Sequence, residues 1–137
     1  MDTLMIVVIV IHASAGVFWA GSTATLANLG PNAGSSAERL FPFQMGSAGL
    51  TVLTGLALWA YWRGGALGTS ELILLFGILA AVIAGAVQGS IVGPARRALA
   101  GGNSAESALH QRMAGAHRAA AGLLTITVIT MVISRFF

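Results

Sequence analysis

The sequence predicts an all-α protein built as a four-helix transmembrane bundle, and three observations carry that prediction. Hydrophobic residues fill 56% of the 137 positions and charged residues only 8%, whereas a soluble domain carries roughly 25% charged residues. Four apolar stretches, at about 4–29, 43–62, 71–92 and 113–135, are long enough for helices to cross a bilayer. Eighteen glycines accompany them, and small residues let membrane helices approach closely. The four spans form one integral membrane domain covering residues 1–137.

The first span, Leu4–Leu29, carries no Lys, Arg, Asp or Glu and holds one ionisable side chain, His12. A cleaved signal peptide would need a basic leading segment and a shorter apolar core. Here Asp2 precedes a long run, so the stretch reads as a retained span. Ala13, Gly16, Ala20, Ala24 and Ala27 recur every three or four residues and predict a packing seam. His12, Gly16, Trp19 and Thr23 form an overlapping face.

Gly30-Pro31-Asn32 is expected to end this helix, and the polar segment to Pro42 reads as a loop with a short turn near Ala37–Phe41. The second span has Gln44, Thr51 and Thr54 as its polar groups. Trp59, Tyr61, Trp62 and Arg63 form an interfacial belt at its end. A tight turn at Gly64-Gly65 and Gly68 leads to Ser70, read as the N-cap of the third span. On that span Gly77, Ala81, Ala84 and Gln88 share a face, and Gly93-Pro94 marks its end. Asn103 with Glu106 resembles a capping box that opens a last helix over 104–135. The first turns of this helix are charged and expected outside the bilayer, with Arg112 and Arg118 snorkelling.

Charge distribution orients the bundle. Loops one and three carry Arg39, Arg96, Arg97, Arg112 and the adjacent Arg118, and the other side carries Arg63 and Arg135. This imbalance predicts a bacterial inner (plasma) membrane protein with loops one and three in the cytoplasm and both termini outside. The sequence pI of 11.2 does not indicate nucleic-acid binding. The arginines sit at loops and helix ends, without interleaved aromatics. There is no cysteine, which excludes thiolate metal sites and disulfides. No carboxylate lies within a span, which disfavours a carboxylate-driven pump. No phosphate-binding, dinucleotide-binding or zinc-protease motif is present.

The residues that could carry chemistry are the histidines. An ionisable group deep in a span is a functional hypothesis by default, and neutral imidazole suits a metal, haem or proton-relay role. The competing reading of His12 is helix glue, hydrogen-bonded to Gln88, Thr51, Thr54 or a backbone carbonyl. His110, Met113 and His117 lie on one face of the last helix, and His and Met suit haem iron or copper. Candidate cofactor ligands are therefore His12 and His117, and candidate metal ligands are His12, Met113 and His117. The two histidines should differ in depth by about 10 Å or more. That spacing favours a single-histidine haem, or His12 paired with its copy in a second protomer, over an intrachain pair. Gln44 and Gln88 read as interhelical hydrogen-bond partners. No catalytic residue is identified.

The segment HASAGVFWAGS, containing His12, Trp19 and Gly21, resembles the first helix of the small bacterial copper-resistance CopD-like group. It is also similar to the first helix of the related HemJ-type protoporphyrinogen oxidases. Arg39-Leu40-Phe41 leading to Thr54-Gly55, and Gly93-Pro94 with Arg96-Arg97, are similar to the same group. The resemblance implies an all-helical membrane bundle, and its HemJ-type branch implies haem binding at His12. That branch has a third-helix lysine, and this chain has no lysine. The resulting expectation is a haem b- or copper-binding membrane protein, redox in character. It would sit in the lipid bilayer as a homo-oligomer or within a larger membrane complex. The alternatives are a non-enzymatic accessory subunit and an oligomeric copper or small-solute permeation protein.

Overall fold

The structure, a computed structural model, describes residues 2–64, 67–102 and 104–137. It is an all-α four-helix bundle, with no strand among the described residues. Helix α1 spans Thr3–Leu29 and α2 spans Ser35–Arg63, joined by a 3-10 turn over Gly30–Ala33. Helix α3, Thr69–Val87, runs through a π-helical turn at Gln88–Val92 into α4, Gly93–Ala100. Helix α5 spans Glu106–Ile133. Four segments, Thr3–Ala33, Ser35–Arg63, Thr69–Ala100 and Glu106–Phe136, are long and apolar enough to cross a membrane. This is a multi-pass membrane protein.

Burial is inverted relative to a soluble bundle. Leu53, Val17, Phe43 and Phe76 are exposed along the outer faces. The centre holds Ala81, Ala84, Ala120, Thr23, Gln44, Gln88 and His117. Large apolar side chains lose nothing by facing lipid, so the interior goes to small residues and to polar groups that need partners.

Helix α1 packs on α2 and α5, and α3 packs on α5, so two helix pairs meet along α1 and α5. Close contacts form where glycine or threonine faces a neighbour. Thr127 Oγ1 donates to the Gly77 carbonyl at 3.0 Å. A Cβ on Gly16 would lie 3.5 Å from Thr51 Cγ2. The expected α3 face of Gly77, Ala81, Ala84 and Gln88 is buried as a unit.

Several local expectations are corrected. The seam on α1 is not the alanine stripe: Ala13 and Ala24 are exposed, and Ala15, Trp19, Thr23 and Leu26 are buried. The buried face is carried by Trp19, Thr23 and Leu26 with Ala15, and Gly16, Ala20 and Ala27 of the stripe are partly buried beside it. Loop one is shorter than expected, because α2 begins at Ser35 and includes Pro42. Gly30 and Gly34, with φ of 58° and 50°, turn the chain early. Gly93-Pro94 does not stop the third segment. Pro94 cannot donate to the carbonyl four residues back and its ring crowds it. The wider π turn just before Pro94 lets the helix continue to Ala100.

Ser70 is not the cap of α3. The helix starts at Thr69, the Gly68 N–H donates to Glu71 Oε2 at 2.9 Å, and Ser70 Oγ donates to the Ser134 carbonyl at 2.8 Å. Helix α5 begins at Glu106 rather than at 104. Gly65 of the second turn and Asn103 of the capping box lie outside the described residues.

Candidate functional site

His12 faces α2, one turn from Gly16 and beside Thr51, Thr54 and Gly55. Its Nδ1 lies 3.0 Å from the Thr51 carbonyl oxygen and 3.1 Å from Thr54 Oγ1. The carbonyl can only accept. The Thr54 hydroxyl spends its own proton on the Leu50 carbonyl at 2.6 Å, so it also accepts from His12. Nδ1 therefore carries the proton and the Nε2 lone pair is left free. Of the partners expected for His12, Thr51 and Thr54 are present and Gln88 is not.

Gly55 makes the ring's position possible. A Cβ at Gly55 would lie 2.9 Å from His12 Cε1, closer than real Cβ contacts allow. Beside the ring is an apolar chamber of about 350 Å³ walled by α1, α2, α3 and α5, with Val17, Trp19, Leu124 and Met131 among its residues. A second chamber, of about 490 Å³, lies toward the chain termini and includes Trp59, Arg63 and Arg135. His12, Gly55, Ile78 and Met131 line both chambers.

Trp19 lines the first chamber and is held there by a buried polar network. Its Nε1–H donates to Gln88 Oε1 at 2.7 Å. An indole nitrogen can only donate, so this bond sets which way the Gln88 amide faces. Gln88 Nε2 then donates to Thr23 Oγ1 at 3.0 Å and to His117 Nδ1 at 3.2 Å. Gln44 Nε2 adds bonds to Ser22 Oγ at 3.2 Å and Thr23 Oγ1 at 3.4 Å. Both glutamines are interhelical partners, as their sequence context predicted. The π turn places Gln88 at the junction of α1 and α5.

The network also decides what His117 offers. Because its Nδ1 accepts from Gln88, its proton sits on Nε2, which is buried without a partner among the described residues. As arranged, His117 presents a donor and His12 presents a lone pair. The two are not brought together. His117 lies level with Trp19 and Thr23, roughly 10–16 Å from His12 along α1.

Nor are His110, Met113 and His117 gathered around a point. His110 Nε2 lies 3.4 Å from Glu38 Oε1 on α2. Met113 packs in an apolar cluster with Leu26, Val92 and Leu109. No group of three or more His, Asp or Glu that could hold a metal ion occurs among the described residues.

Sequence reasoning placed Met131, Gly55, Arg63 and Arg135 in no common site. Met131 and Arg135 come from the far end of the chain and reach His12 only because α5 runs antiparallel to α1. The sole local signal was Thr54-Gly55, a polar and a small residue adjacent in a span. Compared with protein-family models, with curated proteins and with solved structures, the chain has no match.

Proposed function

We propose that this protein is a haem-binding membrane protein in which His12 Nε2 is the ligand. The observation that carries the reading is the position of His12 Nδ1, 3.0 Å from the Thr51 carbonyl oxygen and 3.1 Å from Thr54 Oγ1. A ligating histidine characteristically donates its other ring N–H to a carbonyl or carboxylate, which fixes the ring and raises its basicity. The Thr51 carbonyl and Thr54 hydroxyl hold Nδ1 in that way.

The surroundings support haem over bare copper. A tetrapyrrole brings four nitrogens of its own and needs one protein donor, whereas copper held by protein alone needs several. No cluster of ionisable ligands supplies them among the described residues. The apolar chamber of about 350 Å³, with His12 in its wall, suits an apolar ligand. Met131 lines the same space and offers a soft sulfur. The likeness of HASAGVFWAGS to the HemJ-type first helix points the same way.

Bound haem would supply one-electron redox chemistry. The chain's own part is to orient His12 through Thr51 and Thr54, to leave it space at Gly55, and to line the chamber with Trp19. The setting is the bacterial inner membrane with both termini outside the cytoplasm. The exposed apolar faces are available to lipid or to a second protomer.

The test is an optical spectrum of detergent-purified protein, oxidised and dithionite-reduced, with metal analysis of the same sample. A reduced haem band in the wild type that is absent in a folded His12→Ala variant is expected. A colourless protein after haem-replete expression and direct haem addition would refute the proposal. It would leave His12 as helix glue in an accessory subunit. Stoichiometric copper without haem would replace it with the copper reading.

A further inference from the structure

The chain's net charge is gathered at one end of the bundle. Arg39, Arg96, Arg97, Arg112 and Arg118 lie at the end where α1 meets α2 and α4 meets α5. Two carboxylates, Glu38 and Glu106, accompany them. At the opposite end Arg63 and Arg135 are matched by Asp2 and Glu71. The formal net charge of +3 therefore belongs to the first end.

The five guanidinium groups at that end are also unspent. None forms an ion pair or a side-chain hydrogen bond among the described residues, whereas Arg63 is paired with Glu71. Glu38 lies beside His110 at 3.4 Å rather than beside an arginine.

Their placement against the apolar surface decides which anion fits. Arg39 and Phe43 are four residues apart on one face of α2, and both are exposed. Arg118 is exposed within a segment apolar enough to span the membrane. Its Nη2 reaches the end of α1, 3.1 Å from where a Gly30 Cβ would stand, next to exposed Leu29. At Arg39 and Arg118 a cation thus borders apolar surface that faces lipid. Arg96 is held over the Phe41 ring, 5.9 Å from its centroid, because the π turn carries the third segment past Pro94. A soluble anion would answer the charge and leave the apolar surface uncovered. A zwitterionic lipid would cover the surface but bring its own cation. A lipid with a net negative headgroup answers both.

We propose that this end of the bundle selects anionic phospholipids, with Arg39 and Arg118 meeting the headgroups and the exposed apolar side chains beside them meeting the acyl chains. The proposal does not depend on haem at His12.

The full chain in dodecyl maltoside is titrated with dioleoyl phosphatidylglycerol and with dioleoyl phosphatidylcholine. Native mass spectrometry counts the bound lipids. The acyl chains are identical, so the difference reports the headgroup. Phosphatidylglycerol should bind about fivefold more tightly or better, the effect of one arginine at an anionic surface. Arg39→Gln and Arg118→Gln should each lower that preference about two- to fivefold and leave phosphatidylcholine affinity unchanged. Arg135→Gln, at the other end, should leave the preference intact. Circular dichroism establishes that the variants are folded.

Equal affinity for the two lipids would overturn the proposal. So would a preference that survives in the Arg39→Gln, Arg118→Gln double variant, or one that falls as far in Arg135→Gln. Displacement of phosphatidylglycerol by inorganic phosphate or polyglutamate at matched ionic strength would assign the arginines to a soluble anion or an acidic protein segment, and would overturn it too.

Discussion

Replacing Gln88 with leucine should destabilise the bundle by roughly 2–4 kcal/mol. The side chain is fully buried and makes three hydrogen bonds, to Trp19, Thr23 and His117. Interhelical hydrogen bonds in membrane proteins contribute about 0.6 kcal/mol each on average and up to about 1.7. Three such bonds set the lower figure. Leucine also leaves the Trp19 N–H and His117 Nδ1 without their partner, and about 1 kcal/mol for each, the low end of the cost of a buried unsatisfied group, sets the upper figure. Thr23 keeps its contact with Gln44 at 3.4 Å, so it adds little. The assay is reversible unfolding in mixed micelles with rising dodecyl sulfate fraction, followed by circular dichroism. A double-mutant cycle with His117→Leu should give a coupling of about 0.6–1.7 kcal/mol. A loss for Gln88→Leu below about 0.5 kcal/mol, or additive single variants, would refute the network as the organising feature of the core.

Three other perturbations probe separate parts of the molecule. Gly55→Ala forces the His12 ring off its position, since the new Cβ would lie 2.9 Å from Cε1. Haem affinity should fall about two- to tenfold, matching an off-rotamer cost of about 0.5–1.5 kcal/mol. Optical titration checks this, and unchanged affinity would count against His12 as ligand. Gly30→Ala places a side chain at φ 58° and ψ −140°, conformational space nearly confined to glycine, with Arg118 Nη2 only 3.1 Å from the new Cβ. Unfolding measurements should show a loss of about 1–3 kcal/mol. For orientation, a Ser35→Cys variant should resist a membrane-impermeant thiol reagent in intact cells and react after lysis. Labelling in intact cells would invert the proposed topology.

The sequence by itself determined the fold class, because charge depletion and four span-length apolar runs leave few other solutions for a chain of 137 residues. It also picked out His12, Gln44 and Gln88 as the polar groups that had to find partners, since a polar side chain in an apolar span cannot rely on water. Helix ends were less legible. Pro42 and Pro94 both read as boundaries and both lie within helical segments, and at Pro94 a preceding π turn absorbs the missing hydrogen bond. The alanine stripe of α1 read as a seam and was not the buried face, because Trp19 and Thr23 had partners on other helices.

Only the tertiary structure decided which partner each polar group takes. His12 bonds α2, and Gln88 bonds Trp19 and His117. Those pairings set opposite proton positions on the two histidines. The two chambers beside His12 likewise draw residues from both ends of the chain, from Ile9 to Arg135. Periodicity along one helix reports which residues share a face. It carries no information about which face of which neighbour lies opposite, and a hydrogen bond depends on that opposition.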